Sequence, residues 1–179
     1  MLSSMTTDVL EIGSGTGQHA EHFAARFPRI RWQCTELAES LDDLKTRIQR
    51  IDQPDVPLPL VLDVQQRDWP DGPYDAVFTA NTLHIMPWEA TLVMLDRVSE
   101  ILKPDGQLII YGPFHDNGVH TAPSNQSFDQ SLRSRDPAMG VRDAVALRTE
   151  ASARNLQAEA DLPLPANNRI LVFRKISAA

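Results

Sequence analysis

Apolar positions along this chain follow a strand period and a helix period in alternation. Residues 8–12, "DVLEI", are a short apolar run that stops at a glycine, which predicts a strand. Ala20, Phe23, Ala24 and Phe27 then recur at helical spacing, and Pro28 closes that segment. Ile30, Trp32 and Cys34 alternate with polar residues up to Glu36, the period-two pattern of a second strand. Leu41, Leu44, Ile48 and Ile51 make the next helical stripe. The segment "PLPLVLD", 57–63, predicts a third strand, placed at an edge because proline has no N–H for a sheet ladder. "YDAVFTA", 74–80, predicts a fourth. Pro87 is suited to open a helix with Leu95, Val98, Ile101 and Leu102 on its inner face, and "KPDGQLIIYGPF" reads as helix stop, turn and fifth strand. A helix near 143–155 follows, then two strands at about 157–163 and 169–174, joined by "PLPANN" as an antiparallel hairpin.

This alternation predicts an α/β fold with a doubly wound, mostly parallel, seven-stranded sheet, helices on both faces and an antiparallel hairpin strand at the C-terminal end. Residues 115–140 break the rhythm. They are polar, rich in Asn, Ser and Asp, and too long for an ordinary connection, which predicts an irregular insertion beside a substrate or lid region. With no internal repeat and no linker, residues 1–179 are expected to form a single domain.

Composition narrows the classes. The net charge is −7, but it is uneven: residues 1–113 carry 9 Lys and Arg against 17 Asp and Glu, and the rest carry 8 against 7. So acidic a first part disfavours nucleic acid as a partner. Cys34 is the only cysteine, which excludes a disulfide framework and a cysteine-based zinc site. The chain has no apolar run long enough to span a membrane and no secretory leader pattern, so the expected location is cytoplasmic and the expected partner a small molecule.

The glycines at 13, 15 and 17 lie where the first strand should turn into the first helix, the usual ligand end of such a sheet. A dinucleotide fingerprint would place its third glycine at the position held by Gln18, and no lysine follows to make a phosphate-binding P-loop. The stretch E-I-G-S-G-T-G instead resembles the first motif of the class I S-adenosylmethionine-dependent methyltransferases, which have a Rossmann-like sheet whose seventh strand is antiparallel. The resemblance implies S-adenosyl-L-methionine as cofactor, with Gly13, Ser14, Gly15, Thr16, Gly17 and Gln18 wrapping its methionine end. Glu36, with Leu37 beside it, is implied to take the ribose hydroxyls, since a carboxylate accepts two hydrogen bonds from a vicinal diol. Asp63, followed by Val64, is implied to receive the adenine amino group, and Glu11 to act on the methionine ammonium directly or through water. Asn81 and Thr82 fall where that family's backbone borders the transferable methyl.

A narrower resemblance runs through "LEIGSGTGQHA", "NTLHIMPWEA", "LIIYGPF", "HTAPSNQSFDQSLRSRDP", "GVRD" and "LPANNRILVFRK", which are similar to the methyltransferase-like 26 family, formerly a domain of unknown function. It implies a methyltransferase fold without naming an acceptor. It also implies a segment with an Arg-Asn pair and a helix ahead of the first strand, lying over the cofactor; here residues 1–7 precede that strand, so a weaker hold on the cofactor is expected.

Methyl transfer needs alignment more than a catalytic group, and a base only when the acceptor is protonated. His84 is the first candidate base, either in that role or as a residue that orients its loop; His120 is the second, with His115 beside it. Asn125 and Asp129 are candidate substrate anchors, and Trp88, Tyr111 and Phe114 candidate walls of the substrate pocket. Arg133, Arg135 and Arg142 are candidates either to grip an anionic substrate or to pair with Asp136 and Asp143, and the ion pairs are the favoured expectation. His19 and His22 sit three apart on a helix, but no third ligand is in view, so no metal is expected. The expected function is methyl transfer to a small molecule. The alternatives are a non-catalytic S-adenosylmethionine-binding or interaction protein on the same fold, a protein or RNA methyltransferase, and a nicotinamide-dependent oxidoreductase, the last disfavoured by the glycine spacing.

Overall fold

The structure is a computed structural model that describes residues 7–51 and 53–177. Strand β1, Asp8–Ile12, shows how the layers form. Its side chains point alternately to the two faces of the sheet, so Val9 joins one apolar cluster while Leu10 and Ile12 join the other. The Val9 face is covered by α1, Gln18–Arg26, through Ala20 and Ala24, and by α2, Leu41–Ile51, through Leu41, Leu44 and Ile48. The opposite face is covered by α3, Trp88–Ile101, which buries Ala90, Met94, Leu95 and Val98.

The remaining strands of the main sheet are β2, Arg31–Glu36; β3, Leu60–Val61; β4, Tyr74–Ala80; β5, Leu102–Gly112; β9, Leu156–Leu164; and β10, Asn168–Lys175. Their order is β3-β2-β1-β4-β5-β10-β9. β1 pairs in parallel with β2 and β4, β2 with β3, and β4 with β5, while β10 is antiparallel to both β5 and β9. The mostly parallel seven-stranded sheet and its antiparallel C-terminal pair agree with the hydrophobic pattern. From β1 the chain winds outward to β3, then returns to the other side of β1 as β4. That reversal opens a crevice at the carboxyl ends of β1 and β4, where open α/β sheets take ligands.

Three stretches differ from the pattern. The third strand shrinks to Leu60–Val61, although it does lie at the edge. Pro57 and Pro59 cannot donate to a ladder, and the Leu58 carbonyl is instead taken by Gln33 Nε2 at 3.0 Å. The turn expected after α3 lies inside β5 as a bulge: Tyr74 faces Leu102 and Ala76 faces Gln107, so Lys103–Gly106 loop out, with Asp105 at φ 62°.

The largest difference is the segment 115–140, which is ordered structure and not an irregular loop. β6, Phe114–Asp116, pairs antiparallel with β7, Val119–His120, and parallel with β8, Arg142–Asp143. Between them runs α4, Pro123–Arg135, opened by a proline in its first turn. Only Asn125 and Leu132 of α4 are buried, so it leaves almost no apolar stripe to read. The predicted helix near 143–155 is α5, Ala144–Ser152, capped by Asp143, whose Oδ1 accepts from the amides of Val145 and Ala146.

Asp75 on β4 pins the start of β1. Its carboxylate accepts from the amides of Thr7 and Asp8, both at 2.9 Å, from the Thr7 hydroxyl at 2.8 Å and from Lys103 Nζ at 2.8 Å. Burial opposes its ionised form, but Lys103 and the two amides outweigh it and hold the carboxyl well below the usual range.

Candidate functional site

The β1–α1 turn is a left-handed glycine loop, with Gly13, Gly15 and Gly17 at φ 68°, 54° and 78°. The three glycines have different reasons to be glycine. A Cβ at Gly13 would lie 2.8 Å from Thr82 Oγ1, so that position serves close approach of the β1 and β4 ends. A Cβ at Gly17 would lie 2.9 Å from Leu44 Cδ1, so that glycine serves the packing of α1 on α2. At Gly15 no atom of the described residues beyond its chain neighbours lies within 4 Å of where a Cβ would stand, and this glycine lines open space.

That space is a cavity of about 470 Å³ at the carboxyl ends of β1, β2 and β4. Gly13, Gly15, Glu36, Leu37, Asp63, Val64, Asn81 and Thr82 all line it, so eight of the positions proposed from the sequence meet around one cavity. Glu36 ends β2 and holds the loop: Oε2 accepts from the Gly15 amide at 2.7 Å and Oε1 from the Leu37 amide at 2.8 Å. A carboxylate has about four acceptor sites, so Glu36 keeps two for a ligand. Asp63 accepts from the Gln65 amide at 3.0 Å and likewise keeps capacity. Gln65, Ile85, Met86 and Pro87 also line the cavity and went unnoticed in the sequence. They lie beside matched positions but carry no pattern of their own.

Other positions of the first motif lie elsewhere. Glu11 is fully buried on the α1–α2 face, where Oε2 accepts from Trp32 Nε1 at 2.8 Å and Oε1 lies 2.9 Å from His19 Nδ1. Strand alternation turns it away from the cavity lined by Ile12. The Glu11 carboxylate and a burying environment push the Cys34 thiol pKa up, burial being the larger cause. Ser14 is buried, exchanging bonds with Thr35 through its amide and its hydroxyl. Thr16, Gly17 and Gln18 lie beyond the lining, with Gly17 capping α1 and Gln18 opening it.

A second cavity, of about 420 Å³, lies between the β4 loop, α4 and the β9–β10 turn. Asn81, in a left-handed conformation at φ 58°, lines both cavities and is their common wall. His84 lines the second cavity and is 7% exposed. Burial, with Arg142 nearby adding to it, pushes His84 down to about 4, so the ring is neutral at neutral pH. Among the described residues neither ring nitrogen has a hydrogen-bond partner. Phe128 of α4 meets the ring edge-on at 5.1 Å between centroids. Asn125 lines this cavity too, and its amide is held by Thr121 Oγ1 and the Asn167 carbonyl, both at 3.0 Å. Tyr111 stands behind the wall, its hydroxyl accepting from Asn168 Nδ2 at 2.8 Å. Phe128, Asn167 and Asn168 went unnoticed in the sequence, where "PANN" read only as a turn and α4 as a loop.

The remaining proposals fall outside both cavities. Phe114 is a core residue, 1% exposed, and Trp88 packs against the same core. Asp129 is occupied by Arg133 at 3.0 Å and by the Val141 amide at 2.7 Å. His120 sits on the hairpin beside His115, with ring centroids 5.2 Å apart, and faces Asp129 at 3.8 Å, so it shares no cavity with His84. Arg133 pairs with Asp129 and not with Asp136. Arg142 makes no pair with Asp143; it donates to the carbonyls of Leu83 at 2.9 Å, Ala138 at 2.8 Å and Met86, clamping the loop that carries His84. No group of three or more His, Cys, Asp or Glu among the described residues is arranged to hold a metal ion. No helix among them is long and apolar enough to cross a membrane. The expectation attached to the segment before β1 lies outside the described residues, apart from Thr7.

The sheet order, the crevice and the closing antiparallel strands define a Rossmann-like methyltransferase fold, and solved structures bear this out. An O-methyltransferase family protein from Burkholderia thailandensis superimposes with a TM-score of 0.84 at 14% identity, covering 98% of this chain and 53% of its own. The mitomycin 7-O-methyltransferase MmcR gives 0.84 at 22% identity, with 96% and 50% covered. Human N-acetylserotonin methyltransferase, in complex with SAM, gives 0.79 at 16%, with 96% and 48% covered. The chain thus spans about half the length of each. The chain belongs to the family described as "Protein of unknown function (DUF938)", which matches residues 1–175.

Proposed function

We propose that this chain is an S-adenosyl-L-methionine-dependent methyltransferase acting on a small-molecule acceptor. The observation that carries the reading is the chemistry of the first cavity. Among the described residues it is lined by two carboxylates, Glu36 and Asp63, and by no Lys or Arg, around a bare glycine backbone. A dinucleotide cradles its pyrophosphate on a loop whose third glycine would stand where this chain has Gln18, so the loop departs from that cradle. A nucleoside joined to a sulfonium and an amino acid suits the cavity, because the diol and the adenine amino group donate and both carboxylates have acceptor sites left.

In this reading Glu36 takes the ribose hydroxyls, Asp63 the adenine amino group, and Gly13 and Gly15 let the methionine end approach the backbone. The cofactor, when bound, supplies an electrophilic methyl group. The protein contributes position. Asn81 and Thr82 form the wall toward the second cavity, and Arg142 fixes the loop that holds them with His84. The neighbours' chemistry supports methyl transfer in general: human N-acetylserotonin methyltransferase is in complex with SAM, and the structure of PigF holds SAH. The motifs shared with the methyltransferase-like 26 family support placing the chain in that branch.

Titration of the purified protein with S-adenosylmethionine and S-adenosylhomocysteine by calorimetry, with NAD as control, tests the reading. Micromolar binding of the first two, weakened in Glu36→Ala, is expected. Well-folded protein that binds neither, or binds NAD as tightly, would overturn it.

A further inference from the structure

The second cavity has a lining of unusual uniformity for a polar pocket. Its polar side chains are Asn81, His84, Ser124, Asn125, Asn167 and Asn168, and none of them is charged at neutral pH. Phe128 supplies an aromatic wall that is 39% exposed. A Cβ at Gly112 would stand 3.9 Å from Asn81 Oδ1 and 4.0 Å from His84 Nδ1, so these two atoms converge over the bare end of β5.

We infer that this cavity is the acceptor site and that it selects an uncharged, flat, hydroxyl-bearing molecule, stacked on Phe128 with its hydroxyl toward His84. The inference rests on the methyltransferase reading and specifies its acceptor class. Charge decides it by exclusion. Among the described residues, a carboxylate or phosphate entering the cavity meets no lysine or arginine in the lining, and an ammonium meets no carboxylate. Either would lose its hydration without a counter-charge, whereas asparagine amides and a neutral imidazole satisfy hydroxyl and carbonyl groups at little cost. Arg142 is a buried cation close to this loop, but it does not line the cavity, and its Nε and Nη2 donate to the carbonyls of Leu83, Met86 and Ala138. The aromatic wall favours a ring, which would pack against Phe128 face or edge on.

The same arrangement accounts for the proton. An O–H bond breaks and an O–CH₃ bond forms; the proton goes to the His84 ring and then to water, and the electron pair of the broken carbon–sulfur bond stays on sulfur. A hydroxyl that is gaining a carbon becomes far more acidic than an imidazolium, so a weakly basic ring still accepts its proton.

The test is binding, read by calorimetry on the full chain with three probes of one shape: 2-naphthol, 2-naphthoate and 2-naphthylmethylammonium, each with and without S-adenosylhomocysteine. Binding of 2-naphthol at least about tenfold tighter than either charged probe is expected, weakened about tenfold or more by Phe128→Ala. Asn168→Asp is expected to raise the affinity for 2-naphthylmethylammonium about tenfold, since it sets a carboxylate in the lining. Equal binding of a charged probe, no binding of 2-naphthol, or binding unmoved by Phe128→Ala and Asn168→Asp would overturn the acceptor assignment. If S-adenosylhomocysteine binds and these results fail, the methyltransferase reading stands without its acceptor class. If S-adenosylhomocysteine itself does not bind, the methyltransferase reading fails on its own.

Discussion

Glu36 Oε2 accepts the Gly15 amide at 2.7 Å, so the last residue of β2 sets the shape of the turn that follows β1. One carboxylate thus holds the loop and keeps free acceptor sites over the same cavity. Removing it affects both. Glu36→Ala is expected to weaken S-adenosylhomocysteine binding by at least about tenfold, because a charge-assisted bond to a ligand and a loop contact are both lost. Glu36→Gln keeps one acceptor oxygen and should fall between. Unchanged affinity in Glu36→Ala, measured by calorimetry on protein of normal circular dichroism, would remove Glu36 from the site.

The glycines separate stability from binding. Gly17→Ala forces a left-handed alanine and drives its Cβ to 2.9 Å from Leu44, so a loss of about 2–3 kcal/mol is expected in urea denaturation. Gly15→Ala meets no atom of the described residues beyond its chain neighbours and should cost only the conformational strain, about 1 kcal/mol. Its effect should appear instead as weaker cofactor binding. Equal stability losses with equal binding would contradict the division.

Much of this was legible in the sequence, for physical reasons that also explain what was not. Period-two alternation and helical stripes arise from burial, so the strands and helices that sandwich the core announced themselves. The cavity-lining Gly13, Gly15, Glu36 and Asp63 were legible because they stand where strands end at the same side of the sheet. Glu11 departs from the position that the resemblance implies because of strand parity: between Leu10 and Ile12, both in one cluster, it faces the other side of the sheet. α4 was missed because it buries only two side chains, one of them the asparagine Asn125. The second cavity therefore stayed out of sight: its walls come from α4 and from a turn whose asparagines carry no period.

Arg142 ties together the β4 loop and the segment after α4. Its buried guanidinium satisfies three backbone carbonyls, and burial, then the nearby Arg133, lowers its pKa from the ordinary value. Lysine lacks the planar fork to reach all three. Arg142→Lys is expected to cost about 2 kcal/mol, since carbonyls would be left without donors. Faster amide hydrogen exchange should follow around residues 83–86 and 138–140, where the Gly140 amide bonds the His84 carbonyl at 3.0 Å. Exchange rates matching the unsubstituted protein would show that the clamp is dispensable.

The neutral state of His84 has a consequence for stability. Its ordinary value is 6.5 and the folded value is about 4. Between those values the unfolded chain binds a proton at this position and the folded chain does not, so folding stability rises with pH across that window. Its contribution is intact above about pH 6.5 and falls away toward pH 4, by up to about 3 kcal/mol. His115 is also lowered, chiefly by burial, and acts in the same direction. Comparison with His84→Gln isolates the first residue, because glutamine does not titrate. The difference in urea unfolding free energy between the two proteins should be flat from pH 8 to 7 and should shift in favour of His84→Gln as the pH drops to 4. A difference that stays constant over the whole range would mean that the folded protein admits the His84 proton freely, and that the ring is neither dry nor held neutral beside the cavity.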